Sequence, residues 1–386
     1  MKRINERFTV SFAYPVIFCR DVFAVDNPLL AEVLREGGTA APYRVLVVVD
    51  RGVEQAHPGL LEQIAAWMTA HRNEVELAAP VEVIPGGEFV KKHEGTAERL
   101  VQLAYQTHLG RKDTIVAIGG GSVQDVAGYA AGRIHRGCRL IRMNTTTLAQ
   151  ADAGVGVKNG VDVGACKNFL GTFAPPYAVL NDCAFLPTLS ERDWRNGVAE
   201  AVKVAVIKDA AFLDWIAEHA DALRMRDLEA MAELVERTAE LHLQHIARSG
   251  DPFEQGSARP LDFGHWSAHR LEAMTGYQLS HGEAVAVGIA LDMAYAALAG
   301  LVSPAECTRV ITVLRECGLK VWCGELTLRG ADGRLAVLEG LAQFREHLGG
   351  ELCVTLPQGL GAKTEVHALD EALVERAVSL LRERYA

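Results

Sequence analysis

Long apolar runs are missing from this chain: no stretch reaches the roughly 18 residues that a membrane-crossing helix needs, which excludes such a helix. Positive charge is also short. Lys and Arg number 39 against 49 Asp and Glu, a net charge of −10, and that balance argues against a broad nucleic-acid surface. Cysteine is sparse in arrangement; the eight residues are scattered singly with no CxxC pair. Neither a zinc ribbon nor a disulfide framework fits, and reduced thiols in a cytoplasm are the expectation. Internal repeats and low-complexity tracts are absent. The opening segment, Met1 to Cys19, carries basic residues followed by apolar ones but has no small-residue cleavage site, so it does not read as a secretory leader. The alternation at Val10, Phe12 and Tyr14 predicts a strand there.

What is present is a globular balance, with 49% hydrophobic and 23% charged residues. At 386 residues the chain exceeds the size at which single cores usually stop growing, so two domains are expected, at 1–183 and 184–386. From Arg44 to about Leu180, short β-branched runs alternate with helical stretches. Strands are expected at Arg44 to Asp50, Val81 to Ile84 and Thr114 to Ile118, and helices at Leu60 to His71 and Glu94 to Leu109. That alternation implies a parallel sheet with crossover helices, an α/β domain of Rossmann-like type. After Pro187 helical periodicity dominates, at Trp194 to Lys208, Leu228 to Arg248, His269 to Met274, Glu283 to Ala299 and Pro304 to Glu316. The second domain is therefore expected to be mostly helical, with a strand at Leu352 to Leu356.

Glycines 119 to 121, with Ser122 and Asp125, follow a strand and open a helix, aiming bare amides and a helix dipole at any anion there. Asp50, at the carboxyl end of an earlier strand, is placed either to accept from a ribose hydroxyl or to cap a helix. In the helical half, Glu200, His265 and His281 offer one carboxylate and two imidazoles, a set that suits a catalytic zinc or cobalt with an open position. Either histidine alone is more often a helix cap or a satisfied core residue, and spacing by itself does not unite the three. Lys158, Lys167, Asn168, Lys203 and His269 are further polar candidates, read either as holding a phosphorylated substrate or as surface charge. Lys203 shares a helix face with Glu200, and His269 with His265 if that stretch is helical.

Taken in order, these motifs resemble the dehydroquinate synthase-like family of sugar phosphate cyclases. The likeness runs from about Asp50 to Val354. It includes Gly87-Glu88 with Lys91, the glycine run to Asp125 with Arg136 eleven residues on, and Thr145 through Asp152 to Lys158. It continues through Lys167-Asn168, Ala199 to Lys203, Asp251 and Glu254, Gly264-His265 with His269, and His281-Gly-Glu. The resemblance implies that Glu200, His265 and His281 bind a divalent metal, zinc or cobalt. It implies that Asp50, Glu88, Lys91, Gly120, Gly121, Ser122, Asp125, Thr145, Thr146 and Lys167 surround NAD. Lys158, Lys203, Glu254, His269 and Asp152 would be the catalytic set, Arg136 and Asn168 would bind substrate, and Arg136 would do so across a homodimer interface. NAD in this family is reduced and then regenerated while a phosphorylated sugar loses phosphate and closes a carbocycle.

Where family members that make dehydroquinate carry Arg, Asn and Lys, this chain has Ala258, Asp262 and Gln244. Cations that hold a substrate carboxylate are thus missing, and Asp262 would repel one. Asp262 and His347 instead resemble the cyclases that take sedoheptulose 7-phosphate to valiolones, so a 2-epi-5-epi-valiolone synthase-like reaction is expected. Arg259, one place displaced, keeps dehydroquinate synthesis as an alternative. Trp266 departs from the family's small hydroxylated residue and resembles cyclases of ebo-type clusters; it either narrows the pocket or packs in the core. The rivals are a metal-dependent polyol dehydrogenase and a catalytically silent binding protein on the same fold.

Overall fold

The computed structural model describes residues 1–38, 40–92, 94–164, 166–248, 253, 260–347 and 352–386. The chain forms two compact units. One comprises Met1–Glu54, Gly59–Met143 and Val157–Asn181; the other comprises Gln55–Pro58, Asn144–Gly156 and Asp182–Ala386.

The first unit is built on a seven-stranded sheet of β1 (Val16–Cys19), β2 (Tyr43–Asp50), β3 (Val75–Leu77), β4 (Glu82–Ile84), β5 (Thr114–Gly119), β6 (Arg139–Asn144) and β9 (Ala178–Asp182). Its order is β1-β9-β6-β5-β2-β3, with β4 also on β2. β2 pairs in parallel with β5 along one edge, through Val45↔Thr114 to Val49↔Ile118. Its other edge is shared by β3 at Tyr43 to Val45 and β4 at Val48 to Asp50. Both faces of such a sheet are covered, which is why Val45 to Val49 are all apolar and all fully buried. Helices α1 (Leu29–Arg35), α2 (Arg51–Ala56), α3 (Leu60–Ala70), α4 (Phe89–Lys92), α5 (Glu94–Gln106) and α6 (Gly121–Arg133) connect the strands. Leu46, Val48, Ile115 and Ala117 meet Leu100, Val123 and Val126 in one core. A separate antiparallel hairpin, β7 (Lys158–Val163) and β8 (Cys166–Phe173), packs on α6.

The strand expected at Val10, Phe12 and Tyr14 does not form. Strand structure starts only at Val16, and Phe8, Val10 and Phe12 are exposed. Alternation stabilises a strand only where one face is buried, and here only Tyr14 is partly covered, too little to offset the entropy of ordering the segment.

The second unit is mostly helical: α7 (Glu191–Lys208), α8 (Ala210–Glu218), α9 (Ala220–Arg224), α10 (Leu228–Arg248), α11 (His265–Met274), α12 (His281–Leu298), α13 (Pro304–Glu316), α14 (Glu339–His347) and α15 (Glu371–Tyr385). A small hairpin of β10 (Val354–Pro357) and β11 (Lys363–Val366) joins them. α12 is its centre. Nearly every residue from Gly282 to Ala296 is buried, the signature of a helix enclosed on all sides, and α7, α11, α13 and α15 pack around it. No helix among the described residues is long and apolar enough to cross a membrane.

Candidate active site

Three helices of the second unit bring the acidic and imidazole candidates together. α7 starts at Ser190, whose hydroxyl accepts from the Asp193 N–H, and runs 18 residues, placing Glu200 and Lys203 on one face. α12 starts with a capping box, in which the Glu283 carboxylate accepts from the Ser280 N–H. Gly282 lets that start come close to α7: a Cβ there would lie 2.5 Å from the Asn196 Cα. His281 is thereby carried to Glu200.

One ligating atom from each of Glu200, His265 and His281 lies within 4.8 Å of the other two. His265 Nε2 is 3.6 Å and His281 Nε2 3.4 Å from the same oxygen, Glu200 Oε1. Glu200 is 0% exposed, and its two carboxylate oxygens face the nitrogens of Lys203, His265 and His281. A carboxylate buried this deeply is costly unless cations neutralise it. Lys203 supplies one such charge through an ion pair with Oε2. Burial opposes ionisation of Glu200, but the Lys203 and His265 charges outweigh it and hold the carboxyl well below its ordinary range. Burial likewise works against a charged His281, yet hydrogen bonds with Glu200 and Glu272 prevail and raise the imidazole to about 10. This cluster collects positive charge, and its donor set of one carboxylate and two imidazoles fits a divalent metal.

The ion pairs continue on both sides. Asp152, in a π-helical turn at Ala149–Ala153, lies 3.9 Å from Lys203 Nζ and accepts from His242 Nδ1 at 2.8 Å. Burial resists its ionisation, but Lys203 and His242 hold its carboxyl below the usual value. Lys203 is buried too, and the charges of Glu200, Asp152 and Asp262 keep its amine protonated against that burial. On the far side, Glu272 Oε2 is 3.3 Å from His281 Nδ1, so the imidazole faces one carboxylate through each nitrogen. A carboxylate on the second nitrogen of a ligating histidine fixes its tautomer and orientation. His269 is exposed, its ring 5.5 Å from that of His265 and 5.9 Å from that of His281.

His242 and Glu272 escaped the sequence reading. Glu272 had a signal, since it lies seven residues after His265 and three after His269 on one helix face. His242 had none, because its contact with Asp152 spans 90 positions. Trp266 packs in the core, 1% exposed, with its indole N–H on Asp292.

In the first unit, Asp50 ends β2 and accepts from the Gly52 N–H at 2.7 Å, capping α2. Burial raises its carboxyl, although the amides of Gly52, Val53 and Gly120 counteract the effect. A Cβ on Gly86 would lie 2.0 Å from Asp50 Oδ1, so the carboxylate and a glycine backbone share that space. Gly120 caps α6 with no side chain on the helix amides, and Gly121 opens the helix. Such an N-terminus fits an anionic pyrophosphate. Around it, Ser122 Oγ donates to Glu88 Oε1 at 2.6 Å, Lys91 pairs with Asp125 at 2.6 Å, and Lys167 lies 3.6 Å from Glu88. Lys158, Arg136 and Asn168 are exposed, and the Asn168 N–H donates to Asp162. In the second unit, Thr145 is buried with its hydroxyl unpartnered among the described residues, and Thr146 Oγ1 accepts from the Ala149 N–H. Glu254, Ala258, Arg259 and the side chain of His347 lie outside the described residues.

Residues 81–196 match the 3-dehydroquinate synthase N-terminal family and residues 197–336 the 3-dehydroquinate synthase C-terminal family. A 3-dehydroquinate synthase of a Ruegeria species is 36% identical over 356 residues, covering 91% of this chain and 90% of the relative. A 2-epi-5-epi-valiolone synthase of Streptomyces glaucescens is 36% identical over 366 residues, covering 94% and 89%. Among solved structures, the 2-epi-5-epi-valiolone synthase ValA of Streptomyces hygroscopicus, with NAD+ and Zn2+ bound, superposes with a TM-score of 0.85 at 32% identity over 99% of both chains. By these matches along most of its length, the chain belongs to the 3-dehydroquinate synthase family of sugar phosphate cyclases.

Proposed function

We propose that this enzyme converts a phosphorylated ketose, sedoheptulose 7-phosphate, to a cyclitol with elimination of phosphate and no net change in NAD. The observation that carries the proposal is the convergence of Glu200, His265 and His281 around a fully buried carboxylate, beside the Lys203 ammonium. A zinc or cobalt ion held there would polarise a ring hydroxyl, and NAD at the glycine turn would accept and return a hydride. Glu200, His265 and His281 would hold the metal, and Asp50, Gly120 and Gly121 the dinucleotide, with Thr145 and Thr146 contributing to its site. Lys203, protonated by its acidic neighbours, would stabilise an oxyanion as charge develops on the sugar. Asp152, kept ionised by Lys203 and His242, would accept hydrogen bonds from substrate hydroxyls and orient them. Lys158, Asn168 and His269 are proposed to bind the phosphate. A cytoplasmic homodimer in which Arg136 serves the partner's site belongs to the same proposal.

Asp262 supports a neutral polyol over a carboxylated sugar. Its charge is close enough to Lys203 to raise that amine, so an anionic substrate tail would meet a carboxylate in place of a cation. Dehydroquinate synthesis is the second reading, on the equal identity of the Ruegeria relative. The test is to incubate zinc- or cobalt-loaded protein and NAD separately with sedoheptulose 7-phosphate, the seven-carbon dehydroquinate precursor and glucose 6-phosphate. Phosphate release from the first alone, without accumulating NADH, is expected. Turnover confined to the carboxylated sugar overturns the substrate, and NADH accumulation without phosphate points to a polyol dehydrogenase.

A further inference from the structure

His265 and His281 each occupy the first position of their helix, α11 and α12. Helix ends are where chains fray, so two ligands at separate helix starts need something to hold them at one spacing. Backbone contact supplies part of the answer. Gly264 has φ +78, and a Cβ there would lie 2.9 Å from the Ile289 nitrogen. A Cβ on Gly288 would come within 2.0 Å of the Gly264 oxygen, so the start of α11 rests on the backbone of α12.

One turn beyond Gly288 stands Asp292, 1% exposed. Its Oδ2 accepts from the Gly264 N–H at 2.9 Å and its Oδ1 accepts from the Trp266 indole N–H at 2.8 Å. Gly264 and Trp266 are the two neighbours of His265. A buried carboxylate is expensive where an apolar side chain would fill the same volume, and here each of its oxygens meets a donor on one side of the histidine.

We propose that Asp292 is a positioning residue for the metal centre: held on the helix that carries His281, it grips both neighbours of His265 and fixes the spacing of the two imidazoles. The proposal rests on the reading of Glu200, His265 and His281 as metal ligands. Trp266 is the second half of the device, its ring filling the core and its N–H completing the grip.

The test measures zinc affinity, by competition with a chromophoric chelator, and the visible spectrum of the cobalt-loaded protein, for wild type, Trp266→Phe, Asp292→Asn and a core control, Leu314→Ala. Trp266→Phe and Asp292→Asn are expected to weaken zinc binding about 10- to 100-fold, the usual effect of losing the groups that orient a metal ligand, and to shift the cobalt bands. Leu314→Ala, fully buried on α13, is expected to lower the melting temperature and leave affinity and spectrum unchanged. Trp266→Phe keeps the ring and removes only the donor, so it decides the matter even if Asp292→Asn does not fold. Wild-type affinity and spectrum in Trp266→Phe overturn the clamp while leaving the metal reading intact. A wild-type protein that takes up no stoichiometric metal overturns both.

Discussion

Polar residues are handled differently in the two units. Around the glycine turn of the first, polar groups are matched in separate pairs: Ser122 and Lys167 with Glu88 at the surface, and the buried Lys91 with the partly exposed Asp125. In the second unit, carboxylates alternate with imidazoles and an ammonium through the interior, from His242 to Asp152, Lys203, Glu200, His281 and Glu272. Glu200 stands in the middle of that arrangement, fully buried, with Lys203 on one oxygen and both imidazoles facing the other. A turn that meets an anion through backbone amides needs no continuous row of buried charges. A site that holds a cation and stabilises developing charge needs carboxylates that water cannot screen.

Four measurements sharpen or break this contrast. The largest effect is expected from Glu200→Ala and His281→Ala, which should lose stoichiometric metal by elemental analysis and reduce phosphate release at least 10²- to 10³-fold; full metal content in both removes the ligand assignment. Next, Lys203→Ala leaves Glu200 and Asp152 without their shared cation and is expected to destabilise the fold by about 3–5 kcal/mol in urea titrations. Lys91→Ala, whose partner Asp125 keeps some access to water, should cost about 1–3 kcal/mol. Equal losses in the two lysine variants would erase the distinction between the units.

The third measurement uses pH. Burial raises the Asp292 carboxyl from 3.8 to about 7, against the hydrogen bonds from Trp266 and Gly264. Its folded-state pKa lies above the unfolded value, so its contribution to stability is complete below pH 3.8 and is lost as pH rises through about 7. Asp292→Asn, which cannot ionise, should therefore gain stability relative to wild type between pH 4 and pH 8, by up to about 4 kcal/mol in chelator-treated protein. A difference that does not vary with pH would mean that Asp292 stays in one protonation state throughout. The smallest effect belongs to Ser122→Ala, expected to cost about 0.5–1.5 kcal/mol, since its hydrogen bond to Glu88 is exposed.

How much of this was legible in the sequence depended on the range of the interactions. α10 at Leu228–Arg248 and α13 at Pro304–Glu316 coincide with the periodicity reading, and Ser303, Pro304 and Glu306 announce the start of α13 by local chemistry alone. β2 was equally plain from its unbroken apolar run. β6 was hidden because Arg142 breaks its apolar pattern; the guanidinium is fully buried and donates to the Lys158 oxygen and to Asn159. β7 and β8 were hidden by their glycines, one of which, Gly171, allows the strands to approach where a Cβ would lie 2.8 Å from the Asn159 oxygen. At the site, the spacing of Glu200 and Lys203 carried their pairing, while Asp292 under Trp266 and His242 against Asp152 arise only when distant helices meet.

The most direct measurement is an anomalous-scattering map from a zinc-loaded crystal. The account predicts a single strong peak about 2.0–2.2 Å from Glu200, His265 Nε2 and His281 Nε2. A well-loaded crystal whose peak is held by other residues would contradict it.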